Sequence, residues 1–211
     1  MKKVLALLVA MSAGASAATV SYSHITPNTA APFTDNFTLQ KFDTTLGALT
    51  NILISFATST TAEVDIFNNT GVNQSFTNAS ASGPLTLNGP ASATLNAIAT
   101  ATIPSGTVVP LGNAFPGITG NNSASLTILP ASFSAYSGTG TTTAAFSVVI
   151  GPGTFSGTSV PGVFFGGSAV AGGTSTITYT YTTGTPEPAT MGLLGSALLG
   201  LGFLKFRTKK S

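Results

Sequence analysis

Between residues 18 and 185, apolar side chains alternate with threonine, serine or asparagine at a period of two. Successive side chains of an extended strand point to opposite faces, so this spacing predicts half-buried β-strands. The clearest case is 174–182. There Ile177, Tyr179 and Tyr181 share one face, and Thr174, Thr176, Thr178, Thr180 and Thr182 share the other. Such a segment reads as an antiparallel strand with one wet face. The same reasoning predicts strands at 19–24, 33–40, 49–57, 62–67, 91–102, 125–129 and 144–150. Ile52, Ile54 and Phe56 fall on one face of their strand, while Val64 and Ile66 share a face with Glu63 and Asp65 turned away. Pro27-Asn28, Asn69-Thr70-Gly71, Gly83-Pro84, Asn88-Gly89-Pro90, Pro104-Ser105-Gly106, Gly151-Pro152-Gly153 and Gly166-Gly167 read as the intervening turns. In 156–173 glycine and serine are so frequent that a loop and a strand are equal expectations. No part of this body shows an apolar stripe at 3.6-residue spacing. Short strands punctuated so often predict an all-β fold, an antiparallel β-sandwich, rather than a parallel α/β sheet.

The two ends break the alternation. Met1-Lys2-Lys3, an apolar run at 4–11 and small residues up to Ala18 are the three parts of a secretory signal peptide. The Ala15-Ser16-Ala17 site predicts cleavage by signal peptidase after Ala17, once the secretion translocon has engaged the chain. The run is too short for a hydrocarbon core of about 30 Å, which argues against a permanent anchor there. At the other end Pro186-Glu187-Pro188 precedes an apolar run at 189–204, followed by Lys205, Arg207, Lys209 and Lys210. As a helix that run spans about 24 Å, and Lys205 can extend its reach by snorkelling. It predicts a single transmembrane helix, with Arg207, Lys209 and Lys210 as a stop-transfer cluster on the cytoplasmic side. The expected division is a signal peptide at 1–17, a β-sandwich surface domain at 18–182, and a linker, motif, helix and basic tail at 183–211.

Charge then narrows the function. Charged residues make up 6% of the chain, against roughly 25% in an average soluble domain. The pI of 9.0 suggests a nucleic-acid partner only until the charges are located. Six of the seven cations sit at the ends, and the body holds Lys41 against Asp35, Asp43, Glu63 and Asp65. Phosphate backbones are bound by several basic side chains acting together, so nucleic acid is excluded as a main partner. There is no cysteine, hence no disulfide framework to stabilise an exported body.

Candidate chemistry is sparse. The only histidine, His24, stands beside Ser23 without a G-x-S-x-G elbow, which is poor material for a Ser-His-Asp hydrolase. Glu63 and Asp65 at i and i+2 are the nearest approach to a glycosidase pair, but that spacing on a strand describes a solvated face. Asp35 and Asp43 flank a short segment and are the candidates for Ca²⁺, without the loop pattern of a dedicated site. Gly151-Pro152-Gly153 lies between strands and cannot open a helix as a dinucleotide loop must. Tyr22, Tyr136, Tyr179 and Tyr181 are the aromatic residues available to a sugar site, and the chain has no tryptophan. The N-x-[ST] triplets at Asn36, Asn68, Asn73, Asn78 and Asn121 are expected by chance in this composition. The residues therefore predict no catalytic, cofactor or metal site.

Pro186-Glu187-Pro188, the apolar run and the basic cluster together closely resemble the PEP-CTERM sorting signal of exopolysaccharide-producing Gram-negative bacteria. The resemblance implies that an integral-membrane transpeptidase, the exosortase, recognises Pro186, Glu187 and Pro188 and processes the protein. It also implies transient residence in the inner membrane, then release to the cell surface or the extracellular polysaccharide matrix. Thr185 stands where that family often has valine. The body resembles a choice-of-anchor E type surface domain through Phe37-Thr38-Leu39-Gln40-Lys41-Phe42-Asp43-Thr44-Thr45-Leu46-Gly47-Ala48-Leu49, Tyr136-Ser137-Gly138-Thr139-Gly140 and Ile177-Thr178-Tyr179-Thr180-Tyr181. That resemblance implies a module separable from its anchor and carries no activity. The expectation is a structural or adhesive, non-catalytic protein; a secreted carbohydrate- or calcium-binding module is the alternative.

Overall fold

The computed structural model describes residues 17–114, 116–183 and 195. Ala15 and the rest of 1–16, the motif Pro186, Glu187 and Pro188, the apolar run apart from Gly195, and Arg207, Lys209 and Lys210 lie outside the described residues. Among the described residues no helix is long and apolar enough to cross a membrane. They form the strands β1 (Ala17–Ala30), β2 (Phe33–Gln40), β3 (Phe42–Asp43), β4 (Ala48–Asn68), β5 (Gln74–Asn88) and β6 (Thr94–Val108). The remainder are β7 (Asn113–Ala114), β8 (Gly117–Thr127), β9 (Ser137–Gly138), β10 (Thr143–Ile150), β11 (Thr154–Ser159) and β12 (Val163–Thr182).

Two antiparallel sheets face each other as the alternation predicts. In one, β1 pairs with β12 and β12 with β4, whose other edge carries β8 and β7. In the other, β6 lines one edge of β5, while β11 and then β10 line the opposite edge and β2 closes the sheet beyond β10. Strand β4, roughly 65 Å long at 3.3 Å per residue, runs the length of the sandwich. Its inward face reads Ile52, Ile54, Phe56, Thr58, Thr60, Ala62, Val64, Ile66 and Asn68, all buried. The apolar ends of that stripe anchor two separate core clusters, one around Ile54, Tyr136 and Tyr179 and one around Val64, Ile66 and Phe76. Between them lies a polar waist of Thr26, Thr58, Thr60 and Ser175, all buried.

Several expected turns are strand interior. Residues 57–62 continue without a break inside β4, and Gly166-Gly167 pairs with Asp65 and Val64. Pro104-Ser105-Gly106 lies in β6. Gly83-Pro84 falls where the edge of β5 passes from β11 to β10, a gap that tolerates a residue without an N–H. Pro27-Asn28 forms a bulge in β1, where the register shifts between Thr26 and Thr29. Residues 154–159 and 163–173 are strands, which settles the open choice for 156–173. In each case long-range pairing supplies the backbone partners that local Gly/Pro content does not reveal. The turns at 69–71 and 151–153 stand, and Asn88-Gly89-Pro90 leads into a 3₁₀ turn at Pro90–Ser92.

The segment Lys41-Phe42-Asp43 runs into a capped turn. Strand β3 ends at Asp43, whose Oδ1 accepts from the Thr45 N–H at 3.0 Å and the Thr45 hydroxyl at 2.9 Å, capping the 3₁₀ turn Thr44–Leu46. Gly47 then enters β4 with φ of 148°, and a Cβ there would collide with the Thr182 carbonyl. Phe42, fully buried, is the meeting point of three distant segments. Its N–H donates to the Tyr136 carbonyl at 2.9 Å, β3 pairs with β9, and its ring lies 5.8 Å from Tyr179 and 5.1 Å from Tyr181.

Candidate functional site

His24 and Asp35, which the sequence reading treated separately, are joined. The inward face of β1 carries His24 and Thr26, and β2 carries Asp35 on the neighbouring edge of the second sheet. His24 Nε2 lies 2.8 Å from Asp35 Oδ2, and the Thr26 hydroxyl donates to the same oxygen at 2.8 Å. The imidazole is stacked on Phe37 at 4.0 Å and 9°, and Phe37 on Phe146 at 5.8 Å and 12°. This is a clamp between the edges of the two sheets. His24 and Thr26 come from one sheet and Asp35 from the other, so the carboxylate is occupied by two partners. A double-mutant cycle of His24→Phe and Asp35→Asn, which keeps the stacking and the Thr26 contact, is expected to show a coupling of roughly 1 kcal/mol. Urea unfolding of the four proteins measures it; additive effects would show that the contact contributes nothing.

The remaining acids are dispersed. Asp43 is committed to Thr45, whose backbone N–H and then hydroxyl hold its carboxyl below the usual carboxylate range. It lies in β3, past the C-terminal end of β2, whereas Asp35 lies near the start of β2, so the two calcium candidates do not converge. Glu63 and Asp65 lie on the outer face of β4, opposite Ser168 and Gly166 of β12, and one Asp65 oxygen is buried without a hydrogen-bond partner. Among the described residues no group of three or more histidine, aspartate or glutamate side chains gathers as a metal site. Tyr136 and Tyr179 are core residues. Their hydroxyls donate to the Pro90 carbonyl at 2.6 Å and the Gln40 carbonyl at 3.1 Å, so neither is a sugar platform.

The sequence reading also missed Asn68, noted only as the start of a chance triplet. Fully buried at the end of β4, it binds the loops at that end together. Its Nδ2 donates to the carbonyls of Val72 at 2.8 Å, Val108 at 3.1 Å and Val109 at 3.0 Å, while Oδ1 accepts from the Thr70 N–H and hydroxyl. The Asn-x-Thr-Gly pattern at a strand end is an Asx-turn signal and could have pointed to it.

The surface of the described residues includes two concave regions. The larger is an open groove of about 680 Å³ on the outer face of the β1-β12-β4-β8 sheet, lined by Ala57, Ser59, Asn121, Ser123, Gly173 and Thr174 among others. The smaller, about 200 Å³, lies against Ile128, Leu129 and Tyr136. Neither contains His24, Asp35, Asp43, Glu63 or Asp65.

Ala17, the last residue of the expected signal peptide, is exposed and opens β1 opposite Thr182, the last residue of β12. The segments that precede and follow the sandwich therefore join it at adjacent points of one sheet. The chain matches none of the curated proteins with which it was compared. Residues 185–209 match the family model described as the PEP-CTERM protein-sorting motif, and the chain accordingly carries the exosortase-targeted signal of an exported surface protein.

Proposed function

We propose that the protein is a non-catalytic structural or adhesive component of an extracellular polysaccharide matrix, released from a transient inner-membrane anchor by exosortase processing at Pro186-Glu187-Pro188. The observation that carries this reading is the sorting motif at 185–209, following directly on a β-sandwich whose last strand ends at Thr182. A cut near the motif would remove the anchor without touching a described strand. Signal peptidase acts after Ala17, the apolar run at 189–204 is the temporary membrane helix of a Gram-negative cell, and Arg207, Lys209 and Lys210 hold it. The body is of the choice-of-anchor E type, a reading supported by the convergence of its three segments on Phe42. The occupied Asp35 and the dispersed acids favour a non-catalytic role.

Glu187→Ala is expected to leave export and folding intact but to block release, so that full-length protein accumulates in the inner membrane. Mass spectrometry of the released wild-type chain should show a C-terminus near Pro186. Released protein that ends at Ser211 in the wild type, or equal release of the variant, would refute the reading.

A further inference from the structure

The groove on the outer face of the first sheet has a regular floor. At the level of Ala57 the register aligns Ile25 of β1, Thr174 of β12, Ala57 of β4 and Ser123 of β8 in one row across the strands. The next row outward holds Gly172, Ser59 and Asn121. The depression is floored by the Ala57 methyl group and by the backbone of Thr58, Asn122 and Gly173, whose own side-chain positions lie on the core side of the sheet. Hydroxyls and an amide therefore rim a small apolar floor, and no charged residue lines it. Ile25, 71% exposed, closes one end of the first row with an apolar surface.

We propose that this groove binds a neutral polysaccharide, the chain lying across the strands. The chemistry selects the class. With no charged group present, an anionic ligand would gain no counter-charge for its desolvation. The Asn121 amide offers a donor and an acceptor side by side, suited to a pair of neighbouring sugar hydroxyls, and Ser59, Ser123 and Thr174 offer single hydroxyls. The Ala57 methyl group and Ile25 suit the C–H face of a pyranose ring. Spacing agrees: neighbouring strands lie about 4.8 Å apart, close to the roughly 5 Å advance per sugar along an extended pyranose chain. The volume of 680 Å³ falls within the range of small-molecule sites and accommodates several such units.

This site deepens the matrix reading and rests on it for its biological setting, yet binding by the unprocessed chain does not depend on cleavage. Failure of one is thus visible separately from failure of the other. The test is calorimetric titration of the full chain, in a zwitterionic detergent without a sugar headgroup, with cellohexaose, maltohexaose and hexagalacturonate. At least one neutral hexasaccharide is expected to bind one to one, and the anionic one to bind at least about tenfold more weakly. Ala57→Phe, which fills the floor, and the double variant Asn121→Ala/Ser123→Ala should each weaken binding by about tenfold or more. Thr180→Ala, on the same face but outside the groove, should not. All replaced residues lie on the sheet surface, and circular dichroism verifies that each variant is folded. Absence of binding by both neutral probes, equal or tighter binding of hexagalacturonate, or unchanged affinity in Ala57→Phe would overturn the proposal.

Discussion

Replacing Asn68 with alanine is expected to lower the unfolding free energy by about 3 kcal/mol, a large fraction of the total for a domain of this size. Its side chain has two N–H groups and contacts three carbonyls, so one donor is shared, and its oxygen receives both groups of Thr70. Alanine strands the buried Val108 carbonyl and frees the loops at 69–73 and 109–112, which Asn68 otherwise ties to one strand end. Those loops carry Val72, Val109 and Leu111, all well exposed, so little apolar burial would compensate. Asn68→Asp should be worse at neutral pH, because a carboxylate would face three carbonyl oxygens with no donor between them. Urea unfolding followed by circular dichroism measures the loss, and hydrogen exchange locates it. Protection should fall first at residues 69–73 and 108–112; a uniform loss across the sandwich would contradict the local role.

The second large effect is expected at Tyr179. Its ring is fully buried among Phe42, Tyr22 and Ile52, and its hydroxyl donates to the Gln40 carbonyl. Tyr179→Ala should cost about 4 kcal/mol through the cavity it leaves, whereas Tyr179→Phe should cost about 1 kcal/mol by removing one hydrogen bond. The same site makes stability depend on alkaline pH. Burial, reinforced by the neighbouring Tyr22 and Tyr136 phenols, pushes the Tyr179 hydroxyl well above the usual phenol range, and burial pushes Tyr136 up to about 12. The unfolded chain ionises its tyrosines near pH 10. The folded state therefore holds its protons more tightly, and this contribution is complete below pH 10 and lost as pH climbs through the folded values. Thermal unfolding should show a midpoint flat from pH 7 to about 9.5 and falling from about 10 to 12. Tyr179→Phe should shallow that fall, and an unchanged slope would show that Tyr179 takes no part in it.

How much of this was legible beforehand follows from the range of the forces involved. Alternation at period two is local, and it determined the all-β class, the antiparallel sandwich and the burial of Ile52, Ile54, Phe56, Ile177 and Tyr179. Charge placement along the chain set the expectation against a nucleic-acid partner without any coordinates, and the residues of the sorting motif were readable because that signal is linear. Turn chemistry at Asp43 and Gly47 is equally local, since a cap and a positive-φ glycine act over three or four residues. Pairing partners are another matter. Gly83-Pro84 and Gly166-Gly167 looked like turns because nothing local shows that β11, β10 and β4 lie alongside to hold those segments extended. His24 and Asp35 meet because β1 and β2 occupy adjacent edges of different sheets, a relation set by the whole topology. Asn68 becomes a hub only when residues 72, 108 and 109 arrive around it. The row of Ile25, Thr174, Ala57 and Ser123 joins four strands drawn from nearly the full length of the body, and its alignment is a matter of register. Composition specified what kind of surface this protein has, whereas only the tertiary structure decided which of its many hydroxyls stand together, because sheet register is set by packing across the core.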